Sequence, residues 1–190
     1  MNVLPTRLPG VLLIEPRIFR DDRGYFFETW SRARYQALGL PADFVQDNLS
    51  YSRKGVLRGL HYQYPTAQGK FVSVLRGEVF DVAVDIRRGS PTFGQWEGFT
   101  LSAENGRQLY VPEGYAHGFM VTSDDALFSY KCTAPYDPSS EGSIVWDDPD
   151  LAIAWPLADP ILAAKDRAAP RLNGIADDRL PRYEAGVTVL

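Results

Sequence analysis

The sequence contains two histidines, His61 and His117, the side-chain type whose unperturbed pKa of about 6.5 suits proton transfer near neutral pH. Both sit in strand-like segments flanked by apolar residues or glycine, where a buried structural histidine is the competing reading. The neighbours raise His61 above His117. It follows Gly55-Val56-Leu57-Arg58-Gly59-Leu60, and on a regular strand Leu57, Gly59, His61 and Gln63 share one face while Arg58 and Leu60 share the other. Arg58 and His61 then point apart. Gly59 leaves a second arrangement open, because a glycine within a strand often marks a bulge that re-aims its neighbours, and both side chains then line one cavity.

Four other sets of residues carry chemical potential. Lys70 opens a strand with Val72 and Val74 on its own face, which puts its ammonium at the rim or interior of a barrel; a solvated strand-end lysine is the alternative. Tyr130 shares its face with Phe128 and Cys132, where a core tyrosine with a satisfied hydroxyl competes with a catalytic one. Arg17, Arg20 and Arg23 precede Gly24-Tyr25-Phe26-Phe27-Glu28. They form either a surface cluster or, given the bidentate geometry of guanidinium, a diphosphate-binding group. Lys165-Asp166, between Pro160 and Pro170, is either an exposed loop pair or the source of a carboxylate that orients a histidine. Jelly-roll metalloenzymes of the cupin type usually present a His-x-His pair. Here the sequence reads Leu60-His61-Tyr62, so metal catalysis is not expected. Phosphate-binding glycine loops, dinucleotide fingerprints and serine-nucleophile elbows are missing.

The elements that must position these residues read as all-β. Sixteen glycines and fourteen prolines punctuate short strand-like runs. The runs cover residues 11–14, 55–63, 70–76, 79–86, 96–101, 108–111, 117–121 and 126–133. In 79–86, Phe80, Val82, Val84 and Ile86 share one parity and Asp81, Ala83 and Asp85 the other, as expected of a half-buried strand. So many short strands favour a two-sheet jelly roll or a barrel. Helices are few: one is expected over 31–38, with Ser31 as N-cap and Gly39 ending it, and a helical turn at 102–105. After Trp155 the chain is proline-rich and irregular, and residues 177–190 read as an irregular tail.

Composition bounds the rest. A chain of 190 residues suits one domain spanning 1–190. With 20 basic against 24 acidic residues, no whole-molecule field recruits nucleic acid or an acidic membrane, so an anionic ligand must be held locally. The single cysteine, Cys132, excludes an intrachain disulfide. No basic-plus-apolar leader or long apolar run is evident, and a soluble cytoplasmic protein is expected.

These residues assemble into a longer pattern. Arg23-Gly24-Tyr25-Phe26-Phe27-Glu28, Gln46-Asp47-Asn48-Leu49-Ser50, Leu57-Arg58-Gly59-Leu60-His61-Tyr62-Gln63, Gln68-Gly69-Lys70, Pro112-Glu113-Gly114-Tyr115-Ala116-His117-Gly118-Phe119, Tyr130-Lys131 and Lys165-Asp166 follow one another along the chain. In this the sequence resembles the deoxythymidine-diphosphate (dTDP) 4-dehydrorhamnose 3,5-epimerase family. The resemblance implies a cupin-like jelly-roll barrel, a homodimer, and epimerisation of a dTDP-4-keto-6-deoxyhexose at C3 and C5 without metal or organic cofactor. It implies His61 as base, Tyr130 as acid on the opposite side of the sugar, Asp166 as the group that orients His61, and Lys70 as the cation steadying an enolate oxygen. Arg23, Glu28, Gln46, Asn48, Arg58, His117, Glu141 and Lys165 resemble the family's substrate-contacting positions, with Asp47 lying between two of them. Arg23 in such a dimer serves the neighbouring subunit. The competing readings are a mono-epimerase acting at C3 or C5 alone, and a non-catalytic nucleotide-sugar-binding jelly roll.

Overall fold

The computed structural model describes residues 1–41 and 43–184. Among these described residues thirteen strands follow one another: β1 Asn2–Leu4, β2 Leu12–Glu15, β3 Phe19–Asp21, β4 Gly24–Phe26, β5 Gln46–Arg53, β6 Leu57–Gln63, β7 Lys70–Arg76, β8 Glu78–Asp85, β9 Trp96–Ser102, β10 Gln108–Val111, β11 Tyr115–Val121, β12 Asp125–Cys132 and β13 Glu141–Ser143. The helices are short, α1 Arg32–Gln36 and α2 Ala164–Arg167. One sheet has the order β1-β2-β10-β7-β12-β5 and a second the order β13-β6-β11-β8-β9, while β3 and β4 form a separate hairpin. The two large sheets pack face to face as a jelly-roll barrel, whose order places strands distant in sequence side by side.

The interior is built from alternate positions of both sheets: Leu13, Val72, Val74, Leu109 and Phe128 from the first, Val79, Phe99, Leu101, Phe119 and Val121 from the second. Both outer faces are also partly covered. α1 and the segment around it bring Tyr35, Leu40, Trp30 and Phe44 against Ile14, Phe71 and Tyr110 of the first sheet. Leu151, Ile153, Trp155, Leu172, Ile175 and Leu180 cover the second. This second covering corrects the expectation of a half-buried strand over 79–86. Strand β8 is buried on both faces, because the irregular C-terminal segment lies on Phe80, Val82 and Val84 while Val79 and Ala83 face the interior. Within residues 177–190, Leu180 is buried and the Tyr183 amide donates to the Arg88 carbonyl at 2.9 Å. Residues 185–190 of that tail lie outside the described residues.

Two helix expectations changed in detail. α1 begins after Ser31, whose side chain makes no capping bond, and Gly39 with φ of 96° closes the turn beyond it. Residues 102–105 form a turn rather than a helix. A single backbone bond closes it, from the Gly106 amide to the Ser102 carbonyl at 2.9 Å, and the Ser102 amide donates to Asn105 Oδ1 and the Asn105 amide to Ser102 Oγ, both at 3.1 Å, so the turn is capped by side chains and does not propagate.

One corner of the barrel is held by a single carboxylate. Asp85 accepts from the Arg87 amide at 3.0 Å, from Arg87 Nε and Nη2 at 2.9 and 2.6 Å, and from Ser90 Oγ and Thr92 Oγ1 at 2.6 Å each. Burial alone would raise its pKa, but these donors outweigh burial and hold it below the usual carboxylate range. Replacing Asp85 with Ala leaves the buried Arg87 without its partner. Urea denaturation is expected to show a loss of about 3–5 kcal/mol; a loss below about 1 kcal/mol would show that the corner is held by packing alone.

Candidate active site

A cavity of about 520 Å3 opens between the two sheets. Its position follows from a fault in strand pairing. β6 and β11 pair with His117 opposite His61 and then Phe119 opposite Arg58, so three steps along β6 match two along β11. The bulge falls at Gly59-Leu60, whose peptide bond is cis. Gly59 has φ of 126°, and a Cβ there would lie 2.5 Å from Gly118 Cα and 2.8 Å from the His117 carbonyl oxygen. No other residue fits at this close approach of two backbones. The bulge settles the alternative left open by the sequence: Arg58 and His61 line the same cavity.

Both histidines are held by buried carboxylates. His61 Nε2 lies 2.7 Å from Asp166 Oδ1, with the histidine side chain 28% exposed and the aspartate 3%. Burial would raise the pKa of Asp166, but the hydrogen bond and charge of His61, with the Gly59 backbone amide, bring it below the ordinary value. The bond to Asp166 occupies Nε2 and fixes the ring's orientation. Directly across the strand pair, His117 Nε2 lies 2.9 and 3.1 Å from the two oxygens of Asp81, which is fully buried. The sequence reading did not single out Asp81. Its signal was present, since a carboxylate within an apolar strand must find a partner.

The opposing wall belongs to the first sheet. β12 supplies Tyr130 and Phe128, and β7 supplies Lys70. Burial pushes the Tyr130 phenol above its usual pKa, with Arg58 and Lys165 opposing, so it carries its proton at neutral pH. Burial pushes the Lys70 ammonium down, partly offset by Cys132 and Glu113. Among the described residues, no carboxylate lies within ion-pair distance of Lys70. At the mouth, Glu141 accepts from Lys165 Nζ at 2.7 Å and from Tyr136 Oη at 3.2 Å. Tyr136, an exposed aromatic on the cavity rim, also went unnoticed in the sequence because it lies in a loop without periodicity.

The cavity therefore gathers His61, Tyr130, Asp166, Lys70, Arg58, His117, Glu141 and Lys165. The other candidates lie elsewhere. Arg23, on the exposed β3–β4 hairpin, pairs with Asp21 at 2.6 Å, and Glu28 lies 3.4 Å from Arg34. Asp47 points outward to Lys131 at 3.0 Å. Gln46 and Asn48 face inward on β5 beside the cavity, joined to each other at 3.0 Å. Among the described residues, no group of three or more His, Cys, Asp or Glu side chains is placed to hold a metal ion.

The family model described as dTDP-4-dehydrorhamnose 3,5-epimerase matches residues 5–174. The chain is 60% identical over 169 residues to the dTDP-4-dehydrorhamnose 3,5-epimerase of Pseudomonas aeruginosa, covering 88% of this chain and 93% of that protein. The structure superposes on that of dTDP-6-deoxy-D-glucose-3,5-epimerase from Legionella pneumophila in complex with dTDP-4-keto-L-rhamnose. The TM-score is 0.94 at 57% identity, over 97% of this chain and 99% of the other. A 3'-monoepimerase from Streptomyces bikiniensis in complex with dTDP-quinovose superposes with a TM-score of 0.87 at 38% identity, over 94% and 92% of the two chains.

The lowered pKa of Asp166 has a consequence for stability. A carboxylate whose folded pKa lies below its unfolded value contributes stability above that unfolded value, and the contribution is lost as pH falls through the folded one. Asp166→Asn is expected to lower stability by about 1–3 kcal/mol at neutral pH. In melting curves across pH, the difference from wild type should shrink below about pH 4. A difference that stays constant down to the acid limit would show that the carboxylate's charge does not contribute.

Proposed function

The chain belongs to the dTDP-4-dehydrorhamnose 3,5-epimerase family, and we propose from that premise and the cavity's geometry that it inverts C3 and C5 of a dTDP-4-keto-6-deoxyhexose. It is an isomerase of the epimerase type. The observation that carries the mechanism is the placement of His61, backed by Asp166, on one wall of the cavity and Tyr130 on the other sheet's wall.

Inversion next to a ketone needs removal of a proton from one face and delivery of a proton to the other. His61 takes the proton, and the C–H electron pair becomes the carbon–carbon double bond of an enolate whose negative charge rests on the former C4 carbonyl oxygen. Lys70, a cation without an ion-pair partner among the described residues, steadies that oxygen. Tyr130, protonated at neutral pH, delivers its proton to the opposite face as the enolate collapses back to the ketone. Its phenolate is transient, with Arg58 and Lys165 nearby to favour it. Proton exchange with solvent then resets His61 and Tyr130 for the second centre. The steps draw on protein side chains alone. Arg58, His117, Glu141 and Lys165 hold the substrate within the cavity, and Gln46 and Asn48 serve its edge, while Asp47 between them faces outward to Lys131.

Arg23 and Glu28 require a second subunit. The β3–β4 hairpin that carries Arg23 exposes Phe19, Tyr25 and Phe26, the last at 71%. On the outward face of the edge strand β5, Leu49 and Tyr51 are exposed as well. Apolar surface on an edge strand is a liability in a monomer, and a homodimer that covers it can carry Arg23 to its neighbour's site. Inversion at both centres is supported by identities of 60% and 57% to the 3,5-epimerases of Pseudomonas aeruginosa and Legionella pneumophila. A cytoplasmic location accords with the dTDP-sugar chemistry. No helix among the described residues is long and apolar enough to cross a membrane.

Sedimentation at working concentration should show a dimer; a fully active monomer would remove the role given to Arg23. The catalytic assignment is tested by NMR of the 4-keto sugar in deuterated solvent. His61→Asn should abolish both deuterium entry at C3 and C5 and inversion, by roughly 10²–10⁴-fold. Tyr130→Phe should lose inversion to a similar degree while wash-in persists, since His61 still removes a proton and returns a deuteron to the same face. Near-normal exchange in His61→Asn would assign the base to another residue.

A further inference from the structure

The inward face of β5 carries four polar side chains, Gln46, Asn48, Ser50 and Ser52, and three of them are satisfied within the protein. Gln46 Nε2 donates to Asn48 Oδ1 at 3.0 Å, Asn48 Nδ2 reaches Cys132 Sγ at 3.5 Å, and Ser52 Oγ accepts from Arg58 Nε at 3.0 Å. Ser50 differs. Its hydroxyl is shielded from solvent and has no hydrogen-bond partner, although the residue lines the cavity. Opposite it on β12 stands Phe128, whose ring stacks on Phe119 at 4.0 Å and offers no acceptor. Among the described residues, the other unpartnered buried polar atom is Arg88 Nε, and it lies 3.0 Å from the carboxylate of Asp177.

A buried hydroxyl without an acceptor destabilises the free protein, and the imbalance is removed when a ligand brings one. The neighbours indicate which acceptor fits. On one side of Ser50, the Arg58 guanidinium lies against Ser52 and within 3.4 Å of the Tyr51 carbonyl. On the other side, Tyr130 stands opposite Asn48. Ser50 thus lies between a guanidinium suited to anionic oxygen and the proposed proton donor. On the reading of the cavity as a dTDP-sugar site, this position suits the phosphate that bears the hexose.

We propose that the Ser50 hydroxyl, on rotating about its Cα–Cβ bond to face the cavity beside Arg58, donates a hydrogen bond to an oxygen of the phosphate that bears the hexose. The proposal rests on the reading of this cavity as a dTDP-sugar site. A neutral donor to a phosphate oxygen makes a charge-assisted bond at a fixed point near the reacting ring, so it contributes to binding of substrate and of free dTDP alike.

The test is calorimetric titration of dTDP, with steady-state kinetics and melting curves, on wild type, Ser50→Ala and Ser50→Cys. Ser50→Ala should bind dTDP roughly ten-fold more weakly and raise KM with kcat little changed, the pattern of a contact made equally in ground and transition states. Its melting temperature should be unchanged or higher, because a methyl group beside Phe128 replaces an unpartnered hydroxyl. Ser50→Cys, a near-isosteric but poor donor, should follow Ser50→Ala in binding. Unchanged dTDP affinity in both variants would overturn the proposal, as would weakening confined to the dTDP-sugar, which moves the contact to the hexose. A lowered melting temperature with binding loss to match would make the role structural and overturn it too. Wild-type protein that binds no dTDP would refute the dTDP-sugar reading and this proposal with it.

Discussion

The site depends on one mismatch in strand pairing. Antiparallel strands alternate their side chains between two faces, so Arg58 and His61 on a regular strand would be divided between the barrel interior and its outside. The extra residue at Gly59-Leu60 removes that constraint by letting β6 take three steps where β11 takes two. The tolerance is narrow, because Gly59 sits against Gly118 and the His117 carbonyl at distances that exclude a side chain. Two glycines facing each other across two strands thus set which groups meet in the cavity, and the Gly59 backbone also reaches Asp166.

A second constraint follows from filling a barrel with polar groups. Burial of Asp81, Asp85 and Asp166 is tolerable because each has a cationic or imidazole partner within 3 Å. The partner of Asp85 is Arg87, two residues on, but Asp81 and Asp166 find theirs far along the chain. Asp166 comes from α2, in the irregular segment that follows the last strand, and closes on a histidine of β6. The C-terminal segment therefore has two physical roles: its apolar residues seal the outer face of the second sheet, and its buried Asp166 carboxylate orients the proposed base.

The strands that the sequence revealed were those whose apolar residues point inward. β7 and β10 were expected with their observed bounds, and β6, β8, β9, β11 and β12 within two residues at either end. β5 was missed because its pattern is inverted. Leu49 and Tyr51 face outward, and Gln46, Asn48, Ser50 and Ser52 face inward toward the cavity. An eight-residue strand with polar groups on its buried face reads as a loop until the cavity it lines is known. The short strands β1, β3 and β4 are three residues each, too brief for alternation to register.

The sequence by itself determined the all-β class, the lack of a cupin-type metal-ligand pair, and the family, because these rest on residue types, on local alternation and on motifs that are contiguous in the chain. It also supplied the members of the site, as His61, Lys70, Tyr130 and Asp166 each stand within a recognisable motif. Only the tertiary structure decided which of them meet. Asp81 finds His117 across 36 residues and Asp166 finds His61 across 105, while Arg23 and Glu28 stay outside this chain's cavity. The reason is geometric. Local sequence specifies a side chain's parity on its strand, but a bulge, a crossing segment and the order of strands in two sheets determine the direction of that parity in space.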